Sequence, residues 1–353
     1  MFQKLLNKFL VLSTLFASYG MASSEGQEKQ FDGKEIIEHL DEKITGDSST
    51  LNSMFYVNIV KNKNVAELRT WEENPEESKV VSRFQVAFGK SEGDKVKQGD
   101  NKTPEGIYFS RNHIKSGLPK EKYGPYAIPV DFPNPIDKME GKTGYGIWLH
   151  GAGDDDRIVK RNVTEGCVAF YNEDILKVKN WVRPYQAAVV ISNDNSNVNK
   201  KEDIASVRSN LDVWAKSWAA KDLDGYISFY HRDFMDGRKN LSSYSRYKSR
   251  VFDSYLKMNV ELSKVKVLVH EKYAVTAFNQ YFNGDNRYIA KGSKILYWLK
   301  VGEDWKIARE VFSNREFQAI SFNRESIASL ISNQRVASQN LNNSKNDSEN
   351  SNL

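Results

Sequence analysis

The 353-residue chain has a single cysteine, so no disulfide can form within it. After the first 22 residues it also lacks any apolar run of the roughly 20 residues that a bilayer-spanning helix needs. Charge of one sign is missing as well. The formal net charge is only +5 and is evenly spread, which argues against a nucleic-acid partner. There is no internal repeat. The one acidic cluster, Asp154-Asp155-Asp156, has no histidine or further acid spaced to complete a metal site, so no metal and no organic cofactor is expected.

What is present divides the chain into segments. Residues 1–22 read as a secretory signal: Lys4 and Lys8 precede an apolar run from Phe9 to Phe16, and Gly20-Met21-Ala22 offers a small-residue cleavage site. Cleavage would remove two lysines and no acids, taking the charge from +5 to +3. The expected location is therefore periplasmic, with no membrane span left in the mature chain. Residues 23–53 are polar with one helical patch (Ile36, Ile37, Leu40), read as a docking or homodimerisation arm or as a loosely attached helix.

Residues 54–193 then read as short strands broken by turns, with alternating polar positions that suit strands buried on one face. The expected strands are 55–60, 66–71, 80–88, 107–109, 147–149 and 187–191, with a short helix at 173–181. Residues 194–201 form a linker by composition, rich in asparagine. In 202–315, Val207, Leu211, Trp214 and Trp218 recur at helical spacing, a second helix is expected at 226–234, and four strand-like runs follow. Helices followed by an antiparallel meander make an α+β unit. Residues 316–353 are a tail, with a helix expected within 316–337. It is disordered from about 338, where ten of sixteen residues are Asn or Ser.

The chemistry concentrates in Gly144-Tyr-Gly-Ile-Trp-Leu-His150-Gly151 and Thr164-Glu-Gly166-Cys167-Val-Ala-Phe170. A lone cysteine is more often a small buried hydrophobe than a nucleophile. This one lies 17 positions after a histidine, with a glycine beside each. A thiol nucleophile needs a base to take its proton and N–H donors for the oxyanion it creates. A strand ending in His-Gly and a turn ending in Gly-Cys could supply both. In an oxidising compartment, a free thiol that persists has a use.

On His150, Gly151, Thr164, Gly166 and Cys167, with Thr103-Pro-Glu-Gly-Ile-Tyr108 and Gly124-Pro-Tyr-Ala-Ile-Pro129 upstream, the stretch resembles the L,D-transpeptidase catalytic domain of the YkuD type. Two positions depart from that pattern: Glu165 stands where the family usually has histidine, and Ala169 where it has a polar residue. Trp218, Lys221-Asp222-Leu-Asp224 and Phe229-Tyr230 make the second unit look like a SnoaL-like or nuclear-transport-factor-2-like cone, with His231, Arg250 and Lys291 as polar groups for its pocket. The fold class is thus multidomain, a β-rich catalytic domain followed by an α+β cone.

The resemblance implies acyl transfer on peptidoglycan stem peptides. Cys167 would be the nucleophile and His150 the base, held by the main-chain oxygen of Gly151. Gly166, Thr164 and Trp148 would lie at the oxyanion and the substrate. The attacked carbonyl belongs to the L-centre of the diamino acid at position three, and D-alanine leaves. The two-domain combination resembles cell-shape-determining L,D-carboxypeptidases, for which water is the acceptor. An amine acceptor would make a transpeptidase forming 3–3 crosslinks. A non-catalytic wall-binding protein is the competing class, and the presence of both Cys167 and His150 argues against it. A sortase-type enzyme would want an arginine near the thiol, and none follows before Arg183.

Overall fold

The computed structural model describes residues 50–74 and 77–323. The expected signal, nearly all of the arm, and the tail beyond residue 323 lie outside the described residues. Among the described residues no helix is long and apolar enough to cross a membrane.

The first domain is a curled, mixed sheet. Its strands are β2 (Phe55–Val60), β3 (Val65–Thr70), β4 (Val80–Gly89), β5 (Gly106–Phe109), β6 (Ala127–Pro129), β7 (Trp148–His150), β8 (Asn162–Thr164), β9 (Val168–Phe170) and β10 (Ala188–Ser192). The order is β5-β10-β2-β3-β4-β9-β7-β6, with β8 beside β4. Four short helices decorate it: α1 (Lys120–Tyr123), α2 (Pro135–Met139), α3 (Asp156–Val159) and α4 (Asn172–Val178). A preceding strand, β1 (Thr50–Ser53), pairs antiparallel with β17 (Ile320–Asn323). Residues 320–323 are therefore strand, where the sequence pattern suggests helix, because pairing with the incoming chain offers their backbone a ladder that local periodicity cannot reveal.

The central strands are buried on both faces, not one. Phe55, Val57 and Ile59 of β2 enter the domain's own core. Met54 and Tyr56 point the other way, into a second cluster with Trp71, Ile107, Phe109, Leu268, Tyr273, Val275 and Tyr297. Half of that cluster comes from the second domain, whose packing closes the face that alternation leaves polar. Glu67, on this strand pair and only 4% exposed, is accommodated by ion pairs to Arg69 and Arg83.

The second domain opens with α5 (Lys201–Ala219), whose buried Ile204, Val207, Leu211, Trp214 and Trp218 form one stripe. Then come α6 (Leu223–Ser228), capped by Asp222, the short β11 (Met235–Asp236) and β12 (Lys239–Asn240), and α7 (Leu241–Asp253), capped by Asn240. Helix α7 has no counterpart in the sequence reading, because its inward stripe is Tyr244, Lys248 and Phe252, interrupted by a lysine. Strands β13 (Met258–Val269), β14 (Tyr273–Gly284), β15 (Tyr288–Val301) and β16 (Asp304–Ser313) form the antiparallel meander.

His231, Arg250 and Lys291 do not supply the cone's interior charges: Arg250 and Lys291 are exposed, and His231 accepts from the nearby Asp233 N–H. The interior charges are Lys294 and Glu310, paired at 3.4 Å, with Tyr244 donating to Glu310. Beside them, Lys248 is held over the rings of Trp218, Tyr226 and Tyr244.

The segment expected as a linker is an ordered joint. Asn199 donates to the carbonyl of Val269 and accepts from its N–H, and Val198 packs against the shared cluster. Tyr273 drives its hydroxyl into the first domain. It accepts from Ile107 N–H at 2.6 Å and Asn134 Nδ2 at 2.6 Å, and donates to the carbonyl of Ile107 at 2.9 Å. Tyr273→Phe strands the Ile107 N–H in a buried seam, where an unsatisfied group costs about 1–3 kcal/mol. The expected outcome is an unfolding free energy lowered by that amount, read as a lower urea midpoint with the m-value unchanged.

Candidate active site

Strands β7 and β9 run parallel, with Leu149 opposite Val168 and His150 opposite Ala169. Successive side chains alternate faces, so Leu149 and Val168 enter the core while His150 and Cys167 share the opposite face. Sequence separation is thereby converted into proximity. Cys167 is 9% exposed and His150 3%.

The ring of His150 is pinned from both sides. Its Nδ1 makes a short hydrogen bond to the carbonyl of Gly151, and the ring of Tyr123 meets it edge-on at 5.1 Å. Because a carbonyl only accepts, Nδ1 carries the proton and Nε2 presents its lone pair. Nε2 is buried and has no hydrogen-bond partner among the described residues. Burial lowers the pKa of His150 to about 4, against the hydrogen bond that Nδ1 donates to the Gly151 carbonyl, with the charges of Arg157 and Lys122 adding to the depression. Ala169, opposite His150, belongs to a small apolar cluster with Ala87, Ala152 and Ile158. The residue opposite His150 is thus apolar.

The Cys167 thiol donates to the carbonyl of Gly146 at 3.3 Å. Burial pushes its pKa up to about 11, opposed by the N–H of Trp148 and the charge of Lys122. The resting pair is consequently a neutral thiol and a neutral imidazole, not an ion pair. Such a pair acts by moving the proton as the sulfur attacks.

Thr164 and Gly166 hold the turn together. The Thr164 hydroxyl donates to the carbonyl of Cys167 at 2.8 Å and accepts from the N–H of Gly166 at 3.1 Å. Both are therefore spent within the turn, not aimed at a substrate or an oxyanion, because a turn this tight consumes its own polar groups. Gly166 has φ +127°, and a Cβ there would come within 2.7 Å of the carbonyl of Lys102. Thr103, from the upstream motif, ties the same turn to β4, its hydroxyl donating to the carbonyl of Cys167 at 3.5 Å and accepting from Gly89 N–H at 2.9 Å. The rings of Trp148 and Tyr123 meet at a tilt of 50° with centroids 4.9 Å apart, while the Trp148 N–H faces the thiol.

Several contributors escaped the sequence reading. Tyr123 and Lys122 adjoin the Gly124-Pro-Tyr motif and could have been suspected from that adjacency. Asn172 clasps the His-Gly loop, accepting from Ala152 N–H at 3.0 Å and donating to its carbonyl at 2.8 Å. No local signal marks it. Among the described residues no group of three or more His, Cys, Asp or Glu side chains gathers as a metal site. A cleft of about 720 Å³ opens at the domain seam, lined by Tyr56, Trp71 and Arg208 among others, and shares no lining residue with the surroundings of Cys167.

Comparison with known proteins separates the two domains. Residues 56–191 match the L,D-transpeptidase catalytic domain, and residues 206–311 match the Cds6 C-terminal NTF2-like domain. The Escherichia coli (strain K12) protein YafK, named as a candidate L,D-transpeptidase, is 28% identical over 134 residues, which is 37% of this chain and 48% of YafK. The match thus spans about half the length of that relative. Two solved structures extend over both domains. Bdellovibrio bacteriovorus Bd1075 is 27% identical with a TM-score of 0.64, covering 74% of this chain and 93% of its own. The helical cell shape determining protein Pgp2 from Campylobacter jejuni is 25% identical with a TM-score of 0.60, covering 79% of this chain and 100% of its own.

Proposed function

From a chain that carries an L,D-transpeptidase catalytic domain followed by an NTF2-like domain, we propose a periplasmic L,D-carboxypeptidase that trims D-alanine from peptidoglycan tetrapeptide stems and so sets cell shape. The observation that carries the chemistry is the placement of Cys167 and His150 on one face of adjacent parallel strands, with the Nε2 lone pair of His150 buried and without a hydrogen-bond partner among the described residues. The likeness to Pgp2 over most of both chains supports the link to cell shape.

In this reading the thiol leaves the carbonyl of Gly146 and attacks the L-centre carbonyl of residue three, while Nε2 takes the thiol proton. The oxyanion forms beside the N–H of Cys167. The imidazolium then protonates the departing D-alanine nitrogen, leaving a thioester on Cys167. Water, deprotonated by the same Nε2, attacks the thioester, and the thiol regains its proton as the tripeptide leaves. The hydrogen bond between Nδ1 and Gly151 keeps one tautomer throughout both halves of the cycle.

The test is a digest of purified disaccharide-tetrapeptide read by mass spectrometry, beside Cys167→Ala. The expected result is loss of one alanine with the wild-type protein and none with the variant. Crosslinked dimers in place of tripeptide would replace water by an amine acceptor. Equal alanine loss from both proteins would remove Cys167 from the mechanism.

A further inference from the structure

The mouth of the site carries an ion pair that neither the fold nor the proposed chemistry uses. Lys122 Nζ and Glu165 Oε2 lie 3.0 Å apart, with side chains 49% and 61% exposed. Such exposed, solvent-screened pairs add little to stability, so stability does not explain this one. Its position is nonetheless fixed at both ends. Glu165 immediately precedes Gly166 and Cys167 in the braced turn. Lys122 lies on α1, which is pressed onto the loop after His150. A Cβ on Gly153 would sit 1.9 Å from the carbonyl of Glu121, and one on Gly124 would sit 2.8 Å from Ala152 N. Backbone this close cannot slide, and Tyr123, next to Lys122, touches the ring of His150. The charge of Lys122 bears on both His150 and Cys167, and that of Glu165 on Cys167.

We propose that Lys122 and Glu165 together bind a zwitterionic α-amino-acid head group of the substrate, Lys122 taking its carboxylate and Glu165 its ammonium. One hydrogen bond joins the two side chains. A carboxylate has a second oxygen and an ammonium three protons, so each can serve a ligand without leaving its partner. A ligand with both charges on one carbon satisfies the two groups at once and leaves no charge unpaired. A ligand with one charge blocked leaves one of them facing an uncharged group.

The proposal rests on the peptidoglycan reading above. Within that reading two sources offer such a head group: the far end of the diamino acid at position three, and free D-alanine leaving the site. The departure at Glu165 is thereby given a role, as the ammonium-binding half of a specificity pair.

The experiment measures binding first, so that it does not depend on turnover. In Cys167→Ala, calorimetry compares disaccharide-tetrapeptide whose distal head group is intact, N-acetylated or amidated at its carboxylate. Each modification is expected to weaken binding about tenfold, the scale of one hydrogen bond between charged groups. Adding Glu165→Gln should weaken the intact ligand by the same factor and abolish sensitivity to acetylation. Adding Lys122→Met should do so for amidation. Those substrate-specific losses are a readout that a merely structural pair would not produce. Equal binding of all three stems, with D-alanine competing in Cys167→Ala and not in the Lys122→Met background, assigns the pair to the free amino acid. Equal binding with no competition by D-alanine overturns the proposal. Turnover by the wild-type enzyme is scored separately, so absence of hydrolysis would count against the carboxypeptidase reading while the head-group preference is still read from binding.

Discussion

Cys167→Ala should take alanine release below detection, and His150→Gln should lower kcat by about a thousandfold, within the usual range for a positioned acid–base group. Neither change should move the melting temperature by more than a few degrees, since each replaces one buried side chain by a neutral one of equal or smaller bulk. The pH profile of the wild-type enzyme separates this site from an ion-pair mechanism. His150 acts as a base only when neutral, and burial has lowered its pKa to about 4. Activity should therefore hold from neutral pH down past the ordinary histidine range and fall only as pH approaches 4, where the imidazole gains a proton. At the other end, burial holds the thiol protonated up to about 11, so no thiolate accumulates to raise the rate between pH 7 and 9. An acid limb centred near pH 6.5 would show that His150 titrates as an exposed histidine does, and the neutral-pair mechanism would then be wrong.

Gly166→Ala is expected to be nearly as damaging although it leaves both reacting groups in place. The residue sits at φ +127°, a conformation that costs a side-chain-bearing residue about 1–3 kcal/mol. The new Cβ would also lie 2.7 Å from the backbone carbonyl of Lys102 and 3.2 Å from Ile147 Cδ1. A carbonyl in a braced loop cannot step aside as a flexible side chain would, so the turn itself must shift. That displaces the N–H and the sulfur of Cys167 together. A misplacement of about 1 Å can cost roughly a hundredfold in rate, and a kcat loss of at least that order with a lower melting temperature is the expected pair of results. Gly141→Ala serves as the control. Gly141 has φ +75° but nothing within 4 Å of the added atom, so it should lose some stability and no activity. If both variants lost activity equally, backbone strain in general, and not the contact with Lys102, would be the cause.

The proposed pair, Cys167 and His150, could be picked out of the sequence because its constraints are local. A strand that ends in His-Gly and a turn that ends in Gly-Cys place their side chains by alternation and by glycine geometry alone. The amphipathic stripe of α5 and the four strands of the meander were readable for a similar reason, their periods lying within single elements. Helix α7 was not, because Lys248 interrupts its apolar stripe and is accommodated by the rings of Trp218, Tyr226 and Tyr244 and by the charge of Glu310, most of them distant in sequence. Asn172 was invisible as well: an asparagine at the start of a helix looks like an ordinary surface residue until the His-Gly loop is laid against it.

By itself, then, the sequence determined the fold class of two successive units and marked the residues from which the chemistry is proposed, since those follow from residue type, spacing and short-range geometry. The tertiary structure decided what those residues are electrically and mechanically. Packing of the second domain turned half-polar strands into buried ones and made a composition-defined linker into a fixed joint. Enclosure raised the thiol and lowered the imidazole, because desolvation depends on every neighbour and not on the motif. The same folding consumed the polar groups of Thr164 and Gly166 inside their own turn and brought Lys122 from 43 positions away in sequence against Glu165. Contacts of that separation depend on the path of the whole chain, and no window of sequence contains it.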